Sequence, residues 1–93
     1  MKICWRPAIK GERYNLPGSM TEEHFDKLIS LTPINSRKVT LALKDYFVNG
    51  YTRKNACDKN NVSQGYFSIS VRKLMRTNNM VASIVEFYIL SRA

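Results

Sequence analysis

Apolar residues recur at helical rather than alternating spacing along most of the chain, and the breaks between periodic stretches fall at turn-forming residues. The first stretch follows Ser19. Ser19-x-x-Glu22 has the form of a capping box, Glu22, Glu23 and Asp26 put negative charge near the positive end of a helix dipole, and Phe25, Leu28 and Ile29 share a face. Thr32-Pro33 ends this helix, because a residue before proline disfavours the α region. Ser36 caps a second helix, in which Val39, Ala42, Leu43, Tyr46 and Phe47 fall at i, i+3, i+4, i+7 and i+8, the spacing of a core-facing stripe. Leu41 and Val48 widen its apolar surface and predict a central position. Asn49-Gly50 closes it, with Gly50 suited to the left-handed C′ site.

Thr52 caps a short third helix, Arg53 to about Asn60. Asn60-Asn61 suits a left-handed turn, Val62 plugs it, and Ser63 caps a fourth helix, Gln64 to about Arg76, with Phe67, Val71 and Leu74 inward. Gly65 weakens the first turn but permits close approach of another group. After Thr77-Asn78-Asn79 a last segment runs Met80 to Leu90. Met80, Ile84 and Phe87, with Val81, Val85 and Tyr88, fit a helix better than a strand, although the β-branched content leaves a strand as the alternative. Residues 1–18, with Pro7, Gly11, Pro17 and Gly18, hold no period and read as an arm or irregular lead-in, Trp5 and Tyr14 docking on the body. The expected fold is all-α: a small single-domain helical bundle of about five helices over residues 19–93, containing a helix-turn-helix at about 52–76.

Composition narrows the chemistry. A chain of 93 residues makes one domain, and 44% hydrophobic with 24% charged residues is ordinary for a globular protein. The apolar segment 80–90 contains Ser83 and Glu86 and is too short to span a bilayer, and MKICWRPAIK has no apolar signal core, so a cytoplasmic protein without membrane contact is expected. Two cysteines, Cys4 and Cys57, make no disulfide framework, and the one histidine, His24, read as an ordinary surface residue, completes no four-ligand zinc site. Nothing around Cys57 resembles a catalytic cysteine loop. An enzyme is not expected, nor a cofactor, metal or small-molecule ligand.

Charge changes the picture most. Fifteen Lys and Arg against seven Asp and Glu give a net +8. Residues 36–78 hold nine of the cations and two of the anions, net +7, whereas residues 1–35 are net +1 and residues 79–93 are neutral. A basic middle points to a polyanion, and the helix-turn-helix lies inside it. Ala56 and Cys57 are small enough for the motif's second helix to pack closely, Cys57 most simply as a buried residue and alternatively at a subunit contact. Asn60 departs from the pattern, being polar where many such motifs bury an apolar residue. Ser63, Gln64, Ser68 and Arg72 are left to face a groove. Arg53 and Lys54 sit in a first turn, where cations oppose the helix dipole, and read as phosphate contacts. Arg72, Lys73 and Arg76 fan over more than one face, with at least one meeting phosphate, while Gln64 and Ser68 can bond base edges. Arg37, Lys38 and Lys59 read as solvated, and Tyr66 as a half-buried core tyrosine with its hydroxyl at the surface.

Leu16-Pro-Gly-Ser-Met-Thr-Glu-Glu-His-Phe, Ser36-Arg-Lys-Val, Ala42-Leu-Lys-Asp-Tyr-Phe-Val-Asn-Gly, Thr52-Arg-Lys-Asn-Ala-Cys and Gly65-Tyr-Phe-Ser-Ile-Ser-Val-Arg-Lys-Leu together resemble the adhesin-biosynthesis transcription regulators of the PapB type, over roughly residues 16–76. Residues 1–15 match no recognised pattern, and the tail only loosely resembles the family's. The resemblance implies a bacterial regulator of a fimbrial or other adhesin operon that binds repeated A/T-rich double-stranded DNA as a homo-oligomer, with the minor groove involved. It implies that Arg53 contacts DNA, that Cys57 serves self-association, and that Ser63 to Arg76 form the helix after the turn. Minor-groove reading fits a helix-turn-helix poorly, unless an arginine such as Arg6, Arg13 or one on a helix enters a narrow A-tract groove. Two rivals remain: a basic protein-interaction module using the apolar last segment, and an RNA binder, which lacks a GXXG loop or glycine-aromatic strand motif.

Overall fold

The computed structural model describes residues 16–91, with side chains described to residue 89. The arm residues Cys4, Trp5, Arg6, Arg13 and Tyr14 lie outside them. Four helices follow in order: α1 (Glu22–Ser30), α2 (Arg37–Phe47), α3 (Arg53–Asn60) and α4 (Gln64–Ser91). Among the described residues there is no strand, and no helix is long and apolar enough to cross a membrane.

The stripe on α2 is the centre of the core. Val39, Ala42, Leu43, Tyr46 and Phe47 are all buried, and they meet Phe25 and Leu28 of α1, Ala56 and Cys57 of α3, and Phe67, Val71 and Leu74 of α4. Tyr46 stands edge-on to Phe47 and to Phe67, with ring centroids 4.8 and 5.7 Å apart, the arrangement that aromatic quadrupoles favour.

Two boundaries differ from expectation. Thr21, not Ser19, caps α1, its Oγ1 accepting from the His24 N–H at 3.1 Å. The reason lies in α2: the Gly18 and Met20 N–H groups donate to the Tyr46 and Phe47 carbonyls at 2.8 and 2.9 Å, which holds residues 18–20 outside any helix. Gly18 makes this possible, since its φ of +68° is a backbone conformation that residues with a side chain rarely adopt. Gly50 is left-handed too, at φ +82°, two residues past the Val48 cap.

The larger correction concerns the last two helices, which are one. Thr77-Asn78-Asn79 contains neither glycine nor proline, so nothing forces the backbone out of the helix. Asn78 extends the inward line of Phe67, Val71 and Leu74 and is 5% exposed, while the Thr77 hydroxyl bonds back to the Lys73 carbonyl at 3.2 Å. The strand alternative for residues 80–90 is likewise replaced by helix. At 1.5 Å per residue α4 is about 42 Å long and sets the 47 Å long axis of the molecule.

Candidate nucleic-acid interface

The turn between α3 and α4 is built by side chains that satisfy helix ends. Thr52 Oγ1 accepts from the Asn55 N–H at 3.1 Å and Ser63 Oγ from the Tyr66 N–H at 3.2 Å. Asn61 adopts φ 58°, and its N–H and that of Val62 return to the Asp58 and Cys57 carbonyls. Val62 packs against the core as the plug. Asn60 explains its own polarity: its Nδ2 donates to Asp45 Oδ2 and to the Ala56 carbonyl, both at 2.9 Å, tying the end of α3 to α2. Asn49 Nδ2 donates to the other Asp45 oxygen at 2.9 Å, and Lys59 Nζ lies 3.5 Å from the carboxylate. Burial raises the Asp45 pKa, but the two amides and Lys59 outweigh it and hold the carboxyl below its ordinary range.

Cations divide into two sets. Lys44 pairs with Glu22 at 2.8 Å, Lys54 with Asp58 at 3.1 Å, and Lys59 with Asp45 while resting 4.8 Å above the Tyr51 ring. By contrast, no described carboxylate lies within 4.0 Å of Lys27 on α1, nor of Arg37, Lys38, Arg53, Arg72, Lys73 or Arg76. The last six border α3, the turn after it and the first half of α4. Arg37 and Lys38, at the start of α2, share a groove with Asn61, Ser63 and Tyr66. Arg72 and Arg76 line a second groove along α4.

Arg53 is the most constrained of the six. Its Nη1 donates to Ser68 Oγ at 2.8 Å, and its guanidinium lies 5.4 Å from the centroid of the buried Phe67 ring. It therefore bridges α3 and α4 while keeping other N–H donors available. Ser68 is half-buried by this contact; Gln64, Arg72, Lys73 and Arg76 are exposed. Gly65 is open, with nothing within 4 Å of the position a Cβ would take. Lys54 is exposed despite its ion pair, and a surface pair of this kind is worth little against a competing phosphate. Cys57 is 1% exposed, and burial raises its thiol pKa, so it is a packing residue and not a nucleophile or surface thiol.

Sequence reasoning passed over Asp45; Arg37 and Lys38, expected to be solvated, are exposed. Asn60 at an otherwise apolar position signalled a buried acceptor, though not which one. Tyr66 is half exposed, as the half-buried reading expected. His24 is only partly exposed, and burial lowers its pKa.

Comparison with known proteins places residues 6–88 within the PapB model, described as adhesin biosynthesis transcription regulatory protein. This is wider than the 16–76 stretch of resemblance and takes in most of the arm and tail. The chain is 45% identical over 73 residues to the major pilus subunit operon regulatory protein PapB of Escherichia coli, covering 78% of this chain and 70% of that one. It is 40% identical over 73 residues to the AFA-III adhesin operon regulatory protein of the same organism, covering 78% and 72%. Among solved structures it is similar to E. coli FocB, with a TM-score of 0.77 and 43% identity over 83% of this chain and 88% of that one.

Proposed function

The chain belongs to the PapB family of adhesin biosynthesis transcription regulatory proteins, a family of regulators and not of enzymes, and we propose that it controls a fimbrial or adhesin operon by binding repeated A/T-rich DNA as a homo-oligomer. The observation that carries this reading is the set of six cations around the helix-turn-helix that have no carboxylate partner among the described residues. In this reading the N-terminal half of α4 enters the major groove, with Gln64 and Ser68 at base edges and the open Gly65 allowing close approach. Ser63 and Lys54 stand at its margins. Arg53, Arg72, Lys73 and Arg76 meet phosphates, joined by Arg37 and Lys38 beside the turn. A minor-groove contact would fall to an arginine entering a narrow A-tract groove, Arg6 or Arg13 of the arm or one borne on a helix. Cys57 contributes by seating α3, and hence Arg53, on the core; a role in self-association would act through that fit and not through a thiol at an interface. Binding to the chromosome would put the protein in the cytoplasm with the nucleoid.

Few side chains read bases on one protomer, so selectivity comes from several linked protomers. A gel-shift titration of phased A/T-rich and G/C-rich duplexes of equal length, with competitor DNA near physiological salt, tests this. Stepwise cooperative shifts on the A/T-rich duplex alone are expected, and equal weak binding to both overturns the selectivity. A basic interaction module, its charge serving solubility or an acidic protein partner, draws support from the apolar end of α4, but it does not account for the placing of these cations around the helix-turn-helix.

A further inference from the structure

The outward face of the first half of α4 carries an aliphatic side chain among cations. At about 100° per residue, Gly65, Ile69, Arg72 and Arg76 form a line opposite the buried Phe67, Val71 and Leu74, and all four are exposed. Ile69 is 44% exposed and belongs neither to the buried core nor to the side chains packed against it. It serves the fold poorly there, since it is β-branched in a helix and leaves much of its own apolar surface in water.

The positions on either side of this line are tied to cations. Ser68, one residue before Ile69, accepts from Arg53 Nη1 at 2.8 Å. Tyr66, three residues before it and on the other flank, shares a groove with Arg37 and Lys38. Positive charge therefore brackets Ile69 from α3 on one side and from the start of α2 on the other.

We propose that Ile69 is a specificity-determining residue, favouring A/T-rich DNA by seating its side chain against the C5-methyl groups of thymine in the major groove. The inference rests on the DNA reading above and names the contact that selects the sequence. With Arg53 on one flank and Arg37 and Lys38 on the other meeting the two backbones, the line between them faces the base edges, in a groove about 12 Å wide that admits a helix. Ile69 has no donor or acceptor to offer. The apolar group that a base pair displays in this groove is the thymine methyl, and a G·C pair displays none. Gly65, one turn earlier, has nothing within 4 Å of the position a Cβ would take, so no side chain holds the helix off the groove floor at that turn. Ser68 can bond to any base pair and carries no such preference, whereas Gln64, which suits adenine, and Ile69, which suits thymine, favour the same pairs.

Anisotropy titrations of the full chain against three duplexes of equal length test the proposal. The first is A/T-rich. The second has uracil for every thymine, which removes the methyl group alone. The third has inosine·cytosine for every A·T pair, which keeps the minor-groove edges and removes the methyl. The wild type is expected to lose at least about four-fold in affinity on the uracil duplex, the equivalent of one buried methyl group, and at least as much on the inosine·cytosine duplex. Ile69→Ala should bind the thymine and uracil duplexes equally, with its helicity by circular dichroism and its salt slope unchanged, because no phosphate contact is removed. A wild type indifferent to uracil overturns the proposal. So does an Ile69→Ala protein that still discriminates, and so does undiminished binding to the inosine·cytosine duplex, which places selectivity in the minor groove. A wild type that prefers A/T-rich to G/C-rich DNA yet ignores uracil fails the proposal and leaves the DNA reading standing; no preference between those two, or no binding, fails both.

Discussion

Arg53 donates to the Ser68 hydroxyl at 2.8 Å while its guanidinium lies over Phe67, so the side chain expected to touch phosphate also locks the two helices of the motif together. Positioning and binding are thereby combined in one residue. Arg53→Ala is expected to weaken binding to all DNA sequences, to reduce the slope of log K against log salt by about one, and to cost roughly 1 kcal/mol of stability. Ser68→Ala removes the bond but keeps the charge. It should lower stability by a similar amount and leave the slope unchanged. Anisotropy titrations at several salt concentrations, with urea unfolding alongside, separate the two; an Arg53→Ala slope equal to wild type removes its assigned phosphate contact.

Partnered and unpartnered cations should behave differently on DNA. Lys44, held by Glu22 at 2.8 Å with Asp26 at 3.8 Å, lies outside the proposed interface. Lys44→Ala should leave DNA affinity within about two-fold, whereas Arg72→Ala and Arg37→Ala each weaken it several-fold and to a similar degree on all sequences. Equal losses from all three would mean that only net charge matters.

Asp45 links α2 to α3 through Asn60, and its stability contribution has a definite pH sign. Its pKa is depressed in the folded state, so the stabilisation is complete above the unfolded value of about 4 and is lost as pH falls through the lower folded value. Asp45→Ala should destabilise by about 1–3 kcal/mol at pH 7, because the Asn49 and Asn60 amides lose their acceptor. The difference from wild type should shrink as the pH falls below about 4. A difference independent of pH would show that packing, not the carboxylate, carries the effect.

Asn78 Nδ2 is buried with no hydrogen-bond partner among the described residues. Replacement by Leu removes an unsatisfied donor from the line of Phe67, Val71 and Leu74, so Asn78→Leu is expected to stabilise by about 1 kcal/mol. Thermal unfolding reads this directly, and a lower Tm would contradict an unsatisfied donor at this position.

Much of this architecture was legible because it rests on local rules. The stripe on α2, the Thr52 and Ser36 caps and the left-handed Asn61 follow from periodicity and from which residues tolerate a positive φ. The missed features are tertiary. Ser19 has capping chemistry, but residues 18–20 are held by the carbonyls of α2, which no local pattern reports. Thr77-Asn78-Asn79 looks like a break because asparagine favours turns, yet burial of Asn78 beneath the long helix decides otherwise. At the candidate interface, the basic character was readable from composition. Which lysines are neutralised was not, since the pairing of Lys44 with Glu22 spans 22 residues.

The most direct measurement is the salt dependence of DNA binding by the unmodified chain, taken from about 50 to 300 mM. If these six cations, which have no carboxylate partner among the described residues, meet phosphates, log K should fall linearly with log salt with a slope of about −5 per protomer. A slope near zero, or one undiminished when Arg72 and Arg76 are both replaced by Ala, would contradict an interface built on those side chains.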